Sequence, residues 1–480
     1  MVHAGAKEFI PVDQKAASLR IADLLSKGIF GALLGLIVLT AIPYGTVEPW
    51  WKALFACLVF ALCIGAIVEG LLSGRSSNSS GTAERTLLLP LLALAVFAFA
   101  QTISLGSVGD NPGNISPAQW NTISADPFQT RFFVLQFLAL IFTLALLYRY
   151  ASTERRVRTL IYVIIAVAVA SAVFGILRQT TQHKVGFVLP LLKPDLGYGQ
   201  FGNKNHFAFL MEMALGLALG LILGGGVKRD RAMIFVAALL PIWTALVLSN
   251  SRGGILAMLA QLVIAALLFT TIPANSHSDA AQPRFFKLAR SVALRFVLLG
   301  ALVIGLLLGT LWVGGDRLVS SFEAARGEIN PAAAGLRQGA TRNEIWRATW
   351  HMFAGHPILG VGFGGYWVAI TAYHDASGSV TPQEAHSDYL ELLSSGGLVG
   401  AALGVWFVVS LVRLTRNNLK SAGRFGRAAC FGAVTGIAGV AVHSLVDFGL
   451  HLTANALVFV ILIMIATAKI DSVRRLNVNA

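Results

Sequence analysis

Hydrophobic and polar residues are arranged along this chain in long blocks rather than in short alternating patterns. Many apolar runs of about 20 residues carry no charge, which is the length that an α-helix needs to cross roughly 30 Å of hydrocarbon. We predict an all-α, polytopic membrane protein with about 12 transmembrane helices, since twelve runs fit this length. The predicted spans are residues 28–43, 51–72, 86–105, 128–149, 157–178, 204–225, 232–249, 252–272, 291–313, 386–412, 428–449 and 452–468.

The same pattern divides the chain into three parts. Residues 1–313 hold the first nine predicted spans, and residues 314–385 form one large polar loop with amphipathic helices. Residues 386–480 hold the last three spans and a tail. The N-terminal segment has no apolar stretch followed by a small-residue cleavage site, so we expect no removable signal peptide.

Composition supports the membrane assignment. The chain is 56% hydrophobic and only 12% charged, whereas soluble domains carry about 25% charged residues. The net charge of +14 could indicate nucleic-acid binding, but the basic residues lie in short clusters between apolar runs. We therefore expect no nucleic-acid partner. The three cysteines are not spaced like metal ligands, and disulfides are not expected.

The distribution of positive charge predicts the orientation. With the N-terminus placed in the cytoplasm, 25 of the 37 Lys and Arg residues fall in cytoplasmic segments. Both termini are then expected to be cytoplasmic. Nine of the other 12 fall in two outer connections, 178–204 and 314–385. This local exception to the positive-inside rule indicates that something anionic binds on the outer side.

The segment TPQEAHSDYLELLSSGG, residues 381–397, lies where the large polar loop meets an apolar run. His386 is at this junction and could accept a proton from a hydroxyl, because the pKa of histidine lies near neutrality. Tyr389 follows it on a predicted helical face. The alternative is a hydrogen-bonded histidine at the membrane interface with no chemical role.

Upstream, TRNEIWRATWHMF, residues 341–353, has the pattern of an amphipathic surface helix with a capping box formed by Thr341 and Glu344. Arg347 and His351 are predicted on the face opposite the apolar stripe. The predicted stripe consists of Ile345, Trp346, Thr349, Trp350 and Phe353. The helix could carry part of a site or could simply cover the outer surface.

Arginines and asparagines also lie at predicted helix ends. Arg252 opens the eighth span after LSNSRGG, residues 248–254, where a positive charge is costly unless it meets an anion. Arg178 ends the fifth span, and Asn203 is a candidate N-cap of the sixth. Backbone amides at a helix start favour anions, although an ordinary capped turn explains Asn203 and Asn205 equally well.

The segment VHSLVDFGLHLTANA, residues 442–456, places His443, Asp447 and His451 at positions i, i+4 and i+8, on one predicted helical face. Metal ligation, a proton path and a polar brace between helices are all open. Metal is the least favoured, because i and i+8 lie about 12 Å apart along a helix.

Five short segments together resemble the O-antigen ligase family, which includes O-antigen ligases and Wzy-type polysaccharide polymerases. The resemblance covers roughly residues 170–410. It is carried by FGNKNHFA (201–208), LSNSRGG (248–254), RNEIWRATW (342–350), HPILGVGFGGY (356–366) and HSDYLELLSSGGLVG (386–400). It implies a GT-C-like fold in the bacterial inner membrane, an active site facing the periplasm, and a glycan donor on undecaprenyl diphosphate.

The resemblance also implies roles for individual residues. His386 would be the general base of a metal-independent, cofactor-free and inverting glycosyl transfer, and Arg178, Arg252 and Arg342 would bind the pyrophosphate. The residues expected to support them are Asn205, His206, Tyr389, His443 and Asp447. Lys204 stands where many relatives have another residue, and no role is carried onto it.

The acceptor stays open. An O-antigen ligase would use a lipid A core sugar, and a polymerase of O-antigen or exopolysaccharide would use a second lipid-linked glycan. A further alternative is a transporter of lipid-linked oligosaccharides, which twelve spans and the intramembrane Asp447 would suit. The charge is concentrated on one side and no inverted repeat is found, which argues against a transporter.

Overall fold

The computed structural model of the chain describes residues 12–42, 44–74, 82–104, 121–180, 197–270, 342–374 and 382–470, together with Gly300 and Ile304. Within these ranges the regular structure is helical. The helices are α1 (Val12–Ala41), α2 (Pro49–Ser73), α3 (Thr82–Ala100), α4 (Pro127–Tyr150), α5 (Glu154–Thr180), α6 (Lys204–Leu223), α7 (Arg229–Leu248), α8 (Arg252–Thr270), α9 (Arg342–Gly355), α10 (Tyr366–Ala369), α11 (Asp388–Ser421), α12 (Arg424–His443) and α13 (Thr453–Thr467). Short 3₁₀ turns cover Ile370–Ala372 and Gly449–His451.

The predicted polytopic helical membrane fold is confirmed. Among the described residues, eight helices are long and apolar enough to cross a membrane, namely α1, α2, α4, α5, α6, α7, α11 and α12. Eleven of the twelve predicted spans coincide with described helices. The ninth predicted span, residues 291–313, lies outside the described residues apart from Gly300 and Ile304. Residues 314–341 and 375–381 of the large loop, including Thr341, also lie outside them.

Helices α6 and α12 form the centre of the bundle because glycines let their backbones touch. A Cβ on Gly220 would lie 2.1 Å from the Cα of Gly432, and one on Gly216 would lie 2.4 Å from the backbone nitrogen of Gly436. No side chain fits at such separations, so small residues are needed at this contact. Consistent with this central position, 83% of the apolar stretch of α6 is buried inside the protein.

Helix α11 is broken at Gly397, whose φ is 60° and ψ is −161°. The glycine-rich segment 356–365 lies against this break and satisfies its backbone. The amide of Leu398 donates to the Pro357 carbonyl at 2.8 Å, and the amide of Val361 donates to the Ser394 carbonyl at 3.0 Å. Irregular backbone within an apolar bundle is tolerated only when its polar groups are paired in this way.

Two features of the segment explain its composition. Gly360 has a φ of 69°, and a Cβ there would lie 2.4 Å from the carbonyl group of Ser395, so only glycine fits. The fully buried Gln101 donates from its amide to the carbonyls of Leu359 at 2.7 Å and Ser395 at 3.0 Å. The segment is thereby fixed to α11 and to the end of α3.

Several helix ends and their connections gather at one end of the bundle, which we call the site end. Contacts between connections define it: the amide of Ala125 donates to the Val361 carbonyl at 2.9 Å, and that of Asp388 to the Ser444 carbonyl at 3.1 Å. The starts of α6 and α8 lie at this end, as does the end of α12. The opposite end is held by contacts such as Arg149 to Glu69 at 2.5 Å.

The structure overturns one prediction about the segment 442–456. Helix α12 ends at His443, so His443, Asp447 and His451 do not share a helical face. The carboxylate of Asp447 instead accepts from the backbone amide of Phe448 at 2.9 Å, a local bond that competes with helix continuation. Gly449 then lies so close to the Phe209 ring that a Cβ would approach it to 2.2 Å.

The apolar stripe of α9 is also rotated from its predicted position. The buried residues are Ile345, Ala348, Thr349 and Met352, whereas the Trp350 side chain is 53% exposed. Arg347 and His351 are exposed as predicted. Tryptophan at a membrane interface is stable while facing away from the protein, so its position cannot be inferred from helical periodicity alone.

Candidate active site at one end of the bundle

His386 lies in the tight connection before α11. Its φ is 50°, a left-handed conformation that is uncommon for a residue with a side chain. Ser387 follows as the N-cap of α11 and accepts from the Leu390 amide at 3.5 Å. The imidazole meets the ring of Phe448 edge-on, with 5.0 Å between ring centroids. Its Nδ1 is buried and has no hydrogen-bond partner among the described residues.

The charge state of His386 suits a proton acceptor. Burial lowers the pKa of this imidazole, and the nearby Arg342 lowers it further, whereas the Asp447 and Glu384 carboxylates act in the opposite direction. The lowered pKa keeps the ring neutral at neutral pH, with a ring nitrogen that can accept a proton. The strained backbone is consistent with a residue whose placement serves function rather than stability.

Asp447 gathers residues from three segments. Its side chain is almost fully buried and accepts from the guanidinium of Arg342 at 3.2 Å and, through a short hydrogen bond, from the side-chain amide of Asn205. The Nε2 of His206 lies 3.8 Å from the other carboxylate oxygen. The His206 ring also packs edge-on against Phe448, with centroids 4.9 Å apart.

Three cations surround the start of α6. Arg252 and Arg342 both lie within electrostatic range of Lys204 and repel its ammonium group. Helices α6 and α8 begin side by side, because Ser251 donates from its hydroxyl to the side-chain oxygen of Asn205 at 2.8 Å. Asn203 caps α6, as predicted, by accepting from the Asn205 amide at 2.8 Å. Positive side chains and two helix N-termini thus favour an anion here.

Arg178 lies near the end of α5, and its guanidinium donates to the carbonyl of Gly199 at 2.8 Å. It is buried, with 4% of its surface exposed. Gly199 belongs to the connection that leads directly into α6. Its role in binding pyrophosphate stays a prediction.

Acidic residues form a second cluster around His451, whose ring packs against Phe448 with centroids 5.7 Å apart. His451 lies 3.3 Å from Glu384 through Nδ1, and 3.7 Å from Asp388 and 3.6 Å from Glu391 through Nε2. Burial alone would lower the pKa of His451, but Glu391 and Glu384 raise it to about 10. Burial alone would raise the pKa of Glu384, but His451 lowers it to about 2.

These values make His451 an imidazolium that partly offsets the charge of its acidic neighbours. Ligand atoms of Glu384, Glu391 and His451 all lie within 4.8 Å of one another, so these residues could hold a cation. Carboxylate and imidazole groups are suitable ligands for several divalent ions. The imidazolium itself already supplies positive charge to the cluster.

The remaining predicted residues lie at the edge of this region. The hydroxyl of Tyr389 donates to the Ala441 carbonyl at 2.9 Å and links α11 to α12, with the side chain half exposed. His443 is fully buried, lies 2.7 Å through Nδ1 from the Glu212 carboxylate, and stacks on Phe209 with centroids 4.1 Å apart. Both residues have structural contacts that do not reach His386 directly.

Comparison with known families bears on this arrangement. Residues 236–405 match the family model described as O-antigen ligase. This match supports the resemblance to the O-antigen ligase family. The match includes Arg252, Arg342 and His386, and it supports a membrane enzyme of the ligase or polymerase type. No curated protein matches the chain significantly.

The O-antigen ligase segment does not contain every residue of the site. Asp447, Phe448 and His451 follow it, and Asn205 and His206 precede it. Of the residues that sequence reasoning did not assign, Glu212 had a recognisable signal, because it is an isolated acid within an apolar run. Phe448 had no such signal. Its ring contacts the imidazoles of His206, His386 and His451, and nothing in the neighbouring sequence indicates these contacts.

Proposed function

We propose that this protein is a membrane glycosyltransferase that moves a glycan from undecaprenyl diphosphate to an acceptor hydroxyl, with His386 as general base. The proposal rests chiefly on one observation: a half-buried, neutral imidazole lies beside Arg342 and Asp447, next to the basic starts of α6 and α8. A base and an anion site side by side are what such a transfer requires.

In the proposed reaction, the acceptor oxygen attacks the anomeric carbon of the donor while His386 takes the hydroxyl proton. The bond between that carbon and the diphosphate oxygen breaks, and its electron pair leaves with the diphosphate. Arg252 and Arg342 stabilise the growing negative charge, which guanidinium groups do more strongly outside bulk water. Direct attack inverts the anomeric centre, and this scheme uses no metal.

Charge at the opposite end supports a periplasmic orientation of the site. The connections 149–158, 228–231 and 413–427 lie at that opposite end and are rich in Arg and Lys. By the positive-inside rule that end would be cytoplasmic, which supports a location of His386 on the outer side of the inner membrane. The donor would then reach the site from the outer leaflet.

The test is a transfer assay with purified protein, an undecaprenyl-diphosphate glycan, and either a lipid A core acceptor or a second lipid-linked glycan. Replacing His386 with Ala should lower the rate by about 10²- to 10⁴-fold, the usual contribution of a general base. His351→Ala is the matched control, because His351 is an exposed histidine on α9. Equal rates for both variants would refute the role of His386.

The same assay decides the acceptor. Transfer to the core sugar alone indicates an O-antigen ligase, whereas growth of lipid-linked chains indicates a polymerase. In cells, a polymerase defect would leave a single repeat attached to the core and remove the long chains. A ligase defect would remove both.

A further inference from the structure

Asp447 has an unusual position for a carboxylate that is not expected to touch the substrate. Only 1% of its side chain is exposed, yet it is held by groups from three segments. These groups are the guanidinium of Arg342, the side-chain amide of Asn205 and the backbone amide of Phe448. Both oxygens of this buried carboxylate therefore accept hydrogen bonds, which offsets the cost of burying them.

The contact with Arg342 fixes a side chain that would otherwise be mobile. Arg342 is the first residue of α9, and its side chain is 29% exposed. One guanidinium nitrogen of Arg342 therefore meets Asp447, while part of the side chain remains exposed. A long side chain held in advance loses less conformational entropy when it binds a diphosphate.

The backbone next to Asp447 reaches the proposed base. Phe448, whose amide donates to Asp447, packs edge-on against both His386 and His206. The same carboxylate thus determines where the guanidinium lies and where the ring that supports His386 lies. Its charge also acts on His386 directly, together with those of Arg342 and Glu384.

We propose that Asp447 is a positioning residue that holds Arg342 for the donor diphosphate and holds Phe448 against the imidazole of His386. This inference rests on the proposed transferase function and assigns Asp447 no contact with the reacting atoms. Its negative charge also offsets one of the clustered cations, so that Arg342 and Lys204 can lie near each other without donor present.

A positioning role makes two kinetic predictions for Asp447→Asn. Loss of the charge-assisted contact should raise the KM for the donor by about 10- to 100-fold, the range expected for one hydrogen bond between charged groups. The pH profile should also move. Asp447 raises the pKa of His386, so its removal lowers that pKa and shifts the acid limb of kcat/KM to lower pH.

Three further variants separate positioning from folding. Asp126→Asn is the matched control: it is the same substitution at the same end of the bundle, at the N-cap of α4, where Asn caps as well as Asp. Asp447→Glu keeps the charge but displaces it, so KM should rise while the acid limb stays in place. The double variant Asp447→Asn/Arg342→Gln should have a smaller rise in KM than the product of the rises in the two single variants.

The outcomes distinguish this inference from the proposed function. If Asp447→Asn matches Asp126→Asn in KM and pH profile while His386→Ala is inactive, the positioning role is refuted and the transferase stands. If the Asp447→Asn variant does not fold, the Asp447→Glu variant decides, and an unchanged KM for the donor in that variant refutes the positioning role. If the wild-type protein transfers no glycan, the proposed function fails, and binding of inorganic pyrophosphate decides: equal affinity in wild type and Asp447→Asn refutes the inference.

Discussion

Gly253, directly after Arg252, has no space for a side chain. A Cβ at this position would lie 2.4 Å from Cδ2 and 2.5 Å from Nε2 of His443, whereas optimal contacts between non-bonded heavy atoms are about 3.5–4.0 Å. Gly253→Ala therefore requires a movement of about 1 Å in either the imidazole or the start of α8. The effect on stability and activity depends on whether the imidazole or the start of α8 moves.

The imidazole is the less movable partner. His443 is fully buried, lies 2.7 Å from Glu212, and stacks on Phe209 at 4.1 Å. Shifting it would disturb a buried pair of ionisable groups, so we expect the start of α8 to move outward and take Arg252 with it. Overpacking of this kind costs about 1–3 kcal/mol of unfolding free energy. A displacement of about 1 Å near reacting groups can lower the rate by about 10²-fold.

The measurement pairs thermal unfolding in detergent with donor kcat/KM. Gly35→Ala is the control, because a Cβ there meets nothing within 4 Å and alanine favours a helix interior by about 1 kcal/mol over glycine. We expect Gly253→Ala to unfold at lower temperature and to lose donor kcat/KM, while Gly35→Ala keeps both. If Gly253→Ala behaved like the control, the rigid contact between α8 and α12 would be refuted.

Three further predictions follow from other parts of the structure. Gly360→Ala should lower the unfolding temperature, since a left-handed φ costs an ordinary residue about 1–2 kcal/mol before the overlap with Ser395 is counted; normal stability would contradict the fit described. Glu69→Gln, at the opposite end, should reduce stability by about 1–3 kcal/mol through loss of its charged contact with Arg149, with kcat/KM of the folded fraction unchanged. Since burial lowers the pKa of His386, kcat/KM should hold constant on acidification until the pH falls below about 6.5, and an acid limb above that value would argue against this base.

Local signals predicted several parts of this site. Asn203 as an N-cap and Arg252 as the first residue of a helix both followed from residue type and position, because caps depend on neighbours within a few residues. Helix α4 begins at Pro127, which agrees within one residue with the predicted start of the fourth span at residue 128. The junction between polar loop and apolar run also placed His386 just before α11, two residues from its first residue.

The prediction failed where distant residues decide the local structure. The helical spacing of His443, Asp447 and His451 suggested a continuous helix, but the turn after His443 depends on Asp447 bonding to its own backbone and on Gly449 meeting Phe209. Gln101 is another such case, because its partners Leu359 and Ser395 are more than 250 residues away in the chain. No window of local sequence contains that information.

The backbone contact between α6 and α12 constrains how the proposed lipid-linked donor would enter. Where glycines of the two helices are in contact, no side chains lie between the backbones that could rearrange. The two helices therefore move as one rigid unit. The distance between the site ends of these two helices must therefore stay constant. One of these ends carries Lys204 to His206, and the other carries the turn after His443. Room for a glycan has to come from the segments around these two helix ends, which include the start of α9, where Arg342 contacts Asp447.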